Sequence, residues 1–293
     1  MALDFRLLNV FALPDAHDDV PLTGNPLCVF TDARDLTGEQ QQALSLQFNL
    51  SETTFVLPAD GPGVTAAVRI FTPTYEMPFA GHPTLGTAHV VRELTGGGDA
   101  VVLRMTAGDI PVTADPADTG PNPMSSRWTL TANPPTSTPA AEIAELAAAI
   151  GVPMAAFAGA PLWVDTGSRQ LVVPLRAVED VRSLELDPAL MARHASRRDG
   201  ESMVYAWAPA GEGRIEARML FSQSGSFRED PATGSACANL GGWLLANGVS
   251  EGTWTVRQGA QVGRPSELRL SLTGGVIRVG GLVTEVGRGT FTL

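Results

Sequence analysis

The chain has 293 residues, 44% hydrophobic and 17% charged, which suits a soluble globular protein; at roughly 100–200 residues per domain, two domains are expected. Acidic residues outnumber basic ones 31 to 20, a formal charge of -11, and no basic stretch could track a phosphate backbone, so nucleic acid is a poor partner. All 20 basic residues are Arg; without a Lys the chain cannot form a Schiff base with pyridoxal phosphate, complete a P-loop or use an amine as general base.

Short β-forming runs separated by Gly, Pro, Asn and Asp dominate. In chain order, strands are predicted over 6–11 and 27–30, then a helix over 38–47 whose N-cap Thr37 and Gln40 spell a capping box. Strands follow over 54–57 and 64–71, a helix over 83–94, and strands over 101–105 and 128–132. The remainder reads as a helix over 140–150, strands over 171–174, 203–207 and 214–221, a helix over 232–246, and strands over 254–257, 267–272 and 276–279. The first ten residues mix Asp4 and Arg6 into a short apolar run, and no stretch approaches the ~20 apolar residues of a membrane helix, so no membrane partner and a cytoplasmic location are expected. Segment 115–124, DPADTGPNPM, is almost free of apolar residues and reads as a linker, with a domain boundary near residue 120.

An internal repeat links the halves. Residues 69–91 (RIFTPTYEMPFAGHPTLGTAHVV) and 218–240 (RMLFSQSGSFREDPATGSACANL) each read as a strand carrying Arg and Phe, a loop, and Pro-x-x-Gly-[Thr/Ser]-Ala opening an apolar helix. Aligning Pro83 with Pro231 pairs His82 with Asp230. The motif is low in information in a chain with 31 Gly and 22 Pro, but the aligned upstream Arg and Phe favour duplication over chance.

Each repeat ends at a helix N-terminus, where unpaired N–H groups and the helix dipole attract an anion such as a carboxylate. Gly81 and Gly234 would let a ligand approach the backbone, or are simple turn residues. His82 titrates in the right range for proton transfer, or caps the helix. His17 in a polar loop, His194 on a surface and His89 packed in a helix are weaker candidates. Asp230 reads as an acid/base group or an N-cap, and Glu229 as a solvated charge. Glu52, in NLSETTF, is either a strand-edge residue in solvent or a carboxylate whose apolar surroundings raise its pKa, as a general acid/base requires. Cys28 is expected in the core, and Cys237 either in the core or, near a helix N-terminus, as a thiol of lowered pKa that could serve as a base; with no CxxC pair, a thiolate zinc site is excluded and a disulfide framework is not expected.

The blocks GNPLCVF (24–30), NLSETTF (49–55), RIFTPTYEMPFAGHPTLGTA (69–88), EDPATGSA (229–236), QGAQVGRPS (258–266) and the final GRGTFTL resemble the PhzF family of phenazine-biosynthesis-like proteins. The resemblance implies a mixed α/β, diaminopimelate-epimerase-like fold of two pseudo-twofold-related domains, each a curved sheet around a central helix. It places residues 1–120, completed by 283–293, in one domain and 121–282 in the other, with the active site in the cleft between them. It further implies a homodimer and a cofactor-free isomerase acting on a small carboxylate-bearing substrate. Glu52 would move the proton with His82 and Asp230, Ser235 would contact the substrate, and Gly81 and Gly234 would line the carboxylate site. The two facing cysteines of related racemases have no counterparts, since neither Cys28 nor Cys237 falls in a matching motif. Segment 130–134 lacks the family's Met-x-Gln-Pro and Gln170 stands where His is common, which leaves the substrate open. An epimerase or racemase of an amino-acid-like compound, and a catalytically idle ligand-binding protein, are the competing readings.

Overall fold

The computed structural model describes residues 1–14, 22–115, 125–197, 199–223 and 225–293, which form two units: Met1–Thr131 with Gly280–Leu293, and Ala132–Val279. The first unit contains β1 (Ala2–Ala12), β2 (Asn25–Phe30), α1 (Gly38–Phe48), β3 (Glu52–Leu57), β4 (Ala66–Phe71), β5 (Glu76–Met77), α2 (Gly81–Thr95), β6 (Ala100–Met105), β7 (Gly108–Asp115) and β8 (Ser125–Thr131). The second contains β9 (Thr136–Pro139), α3 (Ile143–Ile150), β10 (Leu162–Asp165), β11 (Arg169–Pro174), α4 (Val178–Arg182), α5 (Pro188–His194), β12 (Met203–Pro209), β13 (Arg214–Gln223), β14 (Ser226–Asp230), α6 (Gly234–Ala246), β15 (Gly252–Gln258) and β16 (Ser266–Thr273). The chain turns through Gly274 and Gly275, both at positive φ, into β17 (Val276–Thr292). Most of β17 lies in the first unit, where it pairs with β1 and β8. Because β8 also pairs with β7, the division falls at Thr131/Ala132 rather than near residue 120, a position outside the described residues.

The sequence explains the local structure. Thr37 and Gln40 form the capping box reciprocally, at 3.3 and 2.9 Å, and Asn49 ends α1 in the left-handed conformation. Strand β2 is apolar from Pro26 to Phe30 because it is buried on both faces: Phe30 stacks on Phe55 at 5.1 Å on the α1 side, and α2 covers the other. Helix α2 packs against β1, β2, β3, β6, β7 and β8, so Leu85, Gly86, Ala88, Val90 and Val91 are all buried. Helix α6 holds the corresponding place against β9, β10, β11 and β16.

The strand ladders show the repeat to be topological. In both units a hairpin (β1–β2; β10–β11) is followed by a parallel step (β2–β3; β11–β12), an antiparallel step (β3–β4; β12–β13), a hairpin arm (β5; β14) and the helix. After the helix comes a parallel return (β4–β6; β13–β15) and a last antiparallel strand (β7; β16). The register corrects the alignment drawn from sequence. Ile70 pairs with Thr54 and Met77, whereas Met219 pairs with Tyr205 and Asp230, so Met77 and Asp230 are equivalent. Pro78 then matches Pro231, and the helix-opening Gly81 matches Gly234. His82 corresponds to Ser235, not to Asp230, and lies inside the first turn of α2 rather than ahead of it.

Candidate active site

In the first unit, the left-handed turn at Asn49 delivers the chain into β3, placing Glu52 at its first position, opposite Leu27 of β2. Gly81 opens α2; His82 follows, and Pro83 suits a first turn because its missing N–H would have no helical partner there. His82 Nε2 lies 3.5 Å from Glu52 Oε2, with the imidazole 6% and the carboxylate 16% exposed. The ring hydrogen-bonds the Pro26 backbone, and since Nε2 makes no hydrogen bond, Nδ1 is the donor to that carbonyl. Burial lowers the His82 pKa to about 3, the Pro26 bond offsetting part of the shift. At neutral pH the contact with Glu52 is therefore not an ion pair: a neutral imidazole turns its Nε2 lone pair toward a carboxyl oxygen.

In the second unit, Asp230 ends β14 and its carboxylate accepts a hydrogen bond from the Thr233 hydroxyl. Thr233 is the N-cap residue of α6, so Asp230 does not cap that helix. Gln258, at the end of β15, donates to the Asp230 carbonyl at 2.7 Å and to Thr233 Oγ1 at 3.0 Å, clamping the bend. Gly259 follows at φ +81, where an added Cβ would lie 2.4 Å from the carbonyl oxygens of both Arg264 and Pro231. Gly234 opens α6, and the half-buried Ser235 accepts a hydrogen bond from Gln170 Nε2 at 3.0 Å.

Several residues take other roles than their sequence context suggested. Glu229 is not a solvated charge: its side chain is 6% exposed and receives Arg218 Nη2 at 2.8 Å. Arg69 binds Glu76 likewise at 2.7 Å, so the Arg of each repeat braces a hairpin. His89 Nδ1 lies 2.7 Å from Ser126 Oγ, which accepts from Trp128 Nε1, and burial lowers its pKa. His194 sits 3.4 Å from Glu145 with its side chain 15% exposed, while His17 lies outside the described residues. Cys28 and Cys237 are buried free thiols whose pKa burial pushes up, which unfits either as a thiolate base. Among the described residues, no group of three or more His, Cys, Asp or Glu could hold a metal, and no helix is long and apolar enough to cross a membrane. Gln258 and Asn239, the latter bonded to Gln170, were not singled out from sequence; a Gln and an Asn carry no sequence signal until their partners are known.

The family model described as phenazine biosynthesis-like protein matches residues 14–287. An uncharacterized isomerase of Pasteurella multocida is 34% identical over 97% of this chain and 92% of its own length. The trans-2,3-dihydro-3-hydroxyanthranilate isomerase of Pseudomonas fluorescens is 33% identical over 97% of this chain and 99% of its own. Among solved structures, the Bacillus anthracis phenazine biosynthesis protein of the PhzF family superposes with a TM-score of 0.83 at 20% identity, covering 100% of both chains. A probable proline racemase from Agrobacterium radiobacter shares the epimerase-like fold, with a TM-score of 0.64 at 13% identity over 99% of this chain and 93% of its own. The mixed α/β fold, the motif blocks and the full-length similarity to named isomerases place this chain in the phenazine biosynthesis-like family, as an isomerase.

Proposed function

We propose that the protein is a cofactor-independent isomerase that moves a proton between carbons of a small carboxylate-bearing substrate, with Glu52 as the general acid/base. The observation that carries this reading is the Glu52–His82 pair. The ionised Glu52 carboxylate would take a proton from one substrate carbon and return it to another, and in between the carboxyl so formed faces the bare Nε2 of His82, 3.5 Å from its Oε2. His82 thus steadies the protonated carboxyl that exists between removal of the proton and its return. Asp230 is assigned to substrate positioning or proton transfer, Ser235 to substrate contact, and Gly81 and Gly234 to carboxylate binding. The α2 and α6 N-termini supply N–H groups that suit an anion despite the net charge of -11. The proposal includes a homodimer in the cytoplasm, which light scattering on the purified protein and fractionation of cells check.

The deciding experiment is incubation in D2O with trans-2,3-dihydro-3-hydroxyanthranilate, the compound named for the Pseudomonas fluorescens relative, and separately with amino and hydroxy acids, reading deuterium uptake by mass spectrometry. Uptake into the first compound, reduced by roughly 10²–10⁴ in Glu52→Gln, is expected. Full turnover by Glu52→Gln would sink the assignment. Uptake at an α-carbon of the amino-acid set alone would favour an epimerase, and tight binding without exchange an idle binder.

A further inference from the structure

Behind Ser235 lies a chain of buried amides in the second unit. Asn239 is 0% exposed and Gln170 1%. Asn239 Nδ2 donates to the Ser168 carbonyl at 2.7 Å and to Gln170 Oε1 at 2.7 Å, while the Thr166 hydroxyl donates to Asn239 Oδ1 at 2.8 Å. The Ser168 carbonyl can only accept, which fixes which end of the Asn239 amide carries the hydrogens. With both of those hydrogens spent, Gln170 must present Oε1 to Asn239 and Nε2 to Ser235. The Ser235 oxygen is thereby an acceptor from Gln170, and its own hydrogen cannot point back along the relay.

The first unit supplies an internal control. Cys28 pairs with Thr53 and Leu171 with Val204, and Thr53 and Val204 in turn face Phe71 and Leu220, so Leu27 is the counterpart of Gln170. Gly86 is the counterpart of Asn239, each being the sixth residue of its helix. There the contact is apolar: a Cβ on Gly86 would meet Leu27 Cδ2 at 2.4 Å. The fold thus closes this junction with a Leu against a Gly, and two buried amides are not something the topology demands.

We propose that Gln170, held by Asn239 and Thr166, is a positioning residue that fixes the Ser235 hydroxyl as a hydrogen-bond donor to a carboxylate oxygen of the ligand. The proposal rests on the functional reading above for Ser235 as a ligand contact, and adds the device that sets its proton. Replacing Gln170 by Glu keeps the shape but removes the donor: the Ser235 hydrogen would turn inward to the new carboxylate, whose charge would also oppose an anion.

The test uses acetate as the probe, so it needs no turnover. Acetate titrated into the full-length protein should shift the Gly234 and Ser235 amide resonances. Its affinity should fall tenfold or more in Gln170→Glu and in Ser235→Ala. The double variant Gln170→Leu with Asn239→Gly, which copies the first unit's junction, should remain folded by circular dichroism and show the same loss. Neutron diffraction of the deuterium-exchanged wild type should place the Ser235 deuterium away from Gln170. A wild type that does not respond to acetate, undiminished binding in Gln170→Glu or in the Leu/Gly variant, or a Ser235 deuterium directed at Gln170 would each overturn the proposal. Lack of deuterium uptake into the dihydro-hydroxyanthranilate would count against the functional reading alone.

Discussion

His82 makes the protein acid-sensitive through the same burial that keeps its Nε2 basic site unprotonated. Its folded pKa of about 3 lies below the ordinary 6.5, so between those values the unfolded chain binds a proton that the folded chain refuses. Stability from this group is complete above pH 6.5 and is lost as pH falls, at up to about 1.4 kcal/mol per pH unit. Urea denaturation at pH 7 and pH 5 should show wild type losing about 2 kcal/mol more than His82→Gln; parallel behaviour of the two would show that the ring is protonated in the fold. At this scale the chemistry-bearing types were legible in the sequence, because Glu52 and His82 stand in distinctive blocks. Their mutual distance was not, since it depends on Asn49 turning the chain into β3 and on Gly81 opening α2 one residue before the ring.

The elements most legible in the sequence carry strong local signals, and those held by partners are not legible. The capping box of α1 is written in Thr37 and Gln40, and Thr37→Ala should cost about 1 kcal/mol in urea denaturation. Strand β14 is not legible because Ser226, Arg228, Glu229 and Asp230 are polar; only the ladder to β13 and the Arg218–Glu229 brace make it a strand. Helices α4 and α5 are too short for a period to show, although Asp187 before Pro188 is an N-cap signal. The repeat is legible but its register is not, since Pro-x-x-Gly matches in two frames and only strand pairing chooses between them. The bend at Asp230 depends on Gly259, where any side chain meets two carbonyl oxygens at positive φ. Gly259→Ala should therefore cost roughly 1–3 kcal/mol in chemical denaturation and depress deuterium exchange. Unchanged values for both would show the Gln258 clamp to be dispensable.

For the molecule as a whole, two units of one topology carry different side chains at equivalent places: His82 against Ser235, Leu27 against Gln170, Met77 against Asp230. The repeat supplies the frame and divergence supplies the chemistry. The first unit borrows its closing strand from Gly280–Leu293, so a chain cut after Val279 should lose hydrogen-exchange protection at the β1 and β8 amides that face β17, while α6 keeps its protection. That borrowed strand also dictates a schedule. A ribosome releases β1 to β8 first, yet their sheet lacks β17 until Gly280–Leu293 has been made, leaving open edges exposed while the second unit is synthesised. The unit made second is thus the one able to finish folding first, and the unit made first waits for Gly280–Leu293 to arrive.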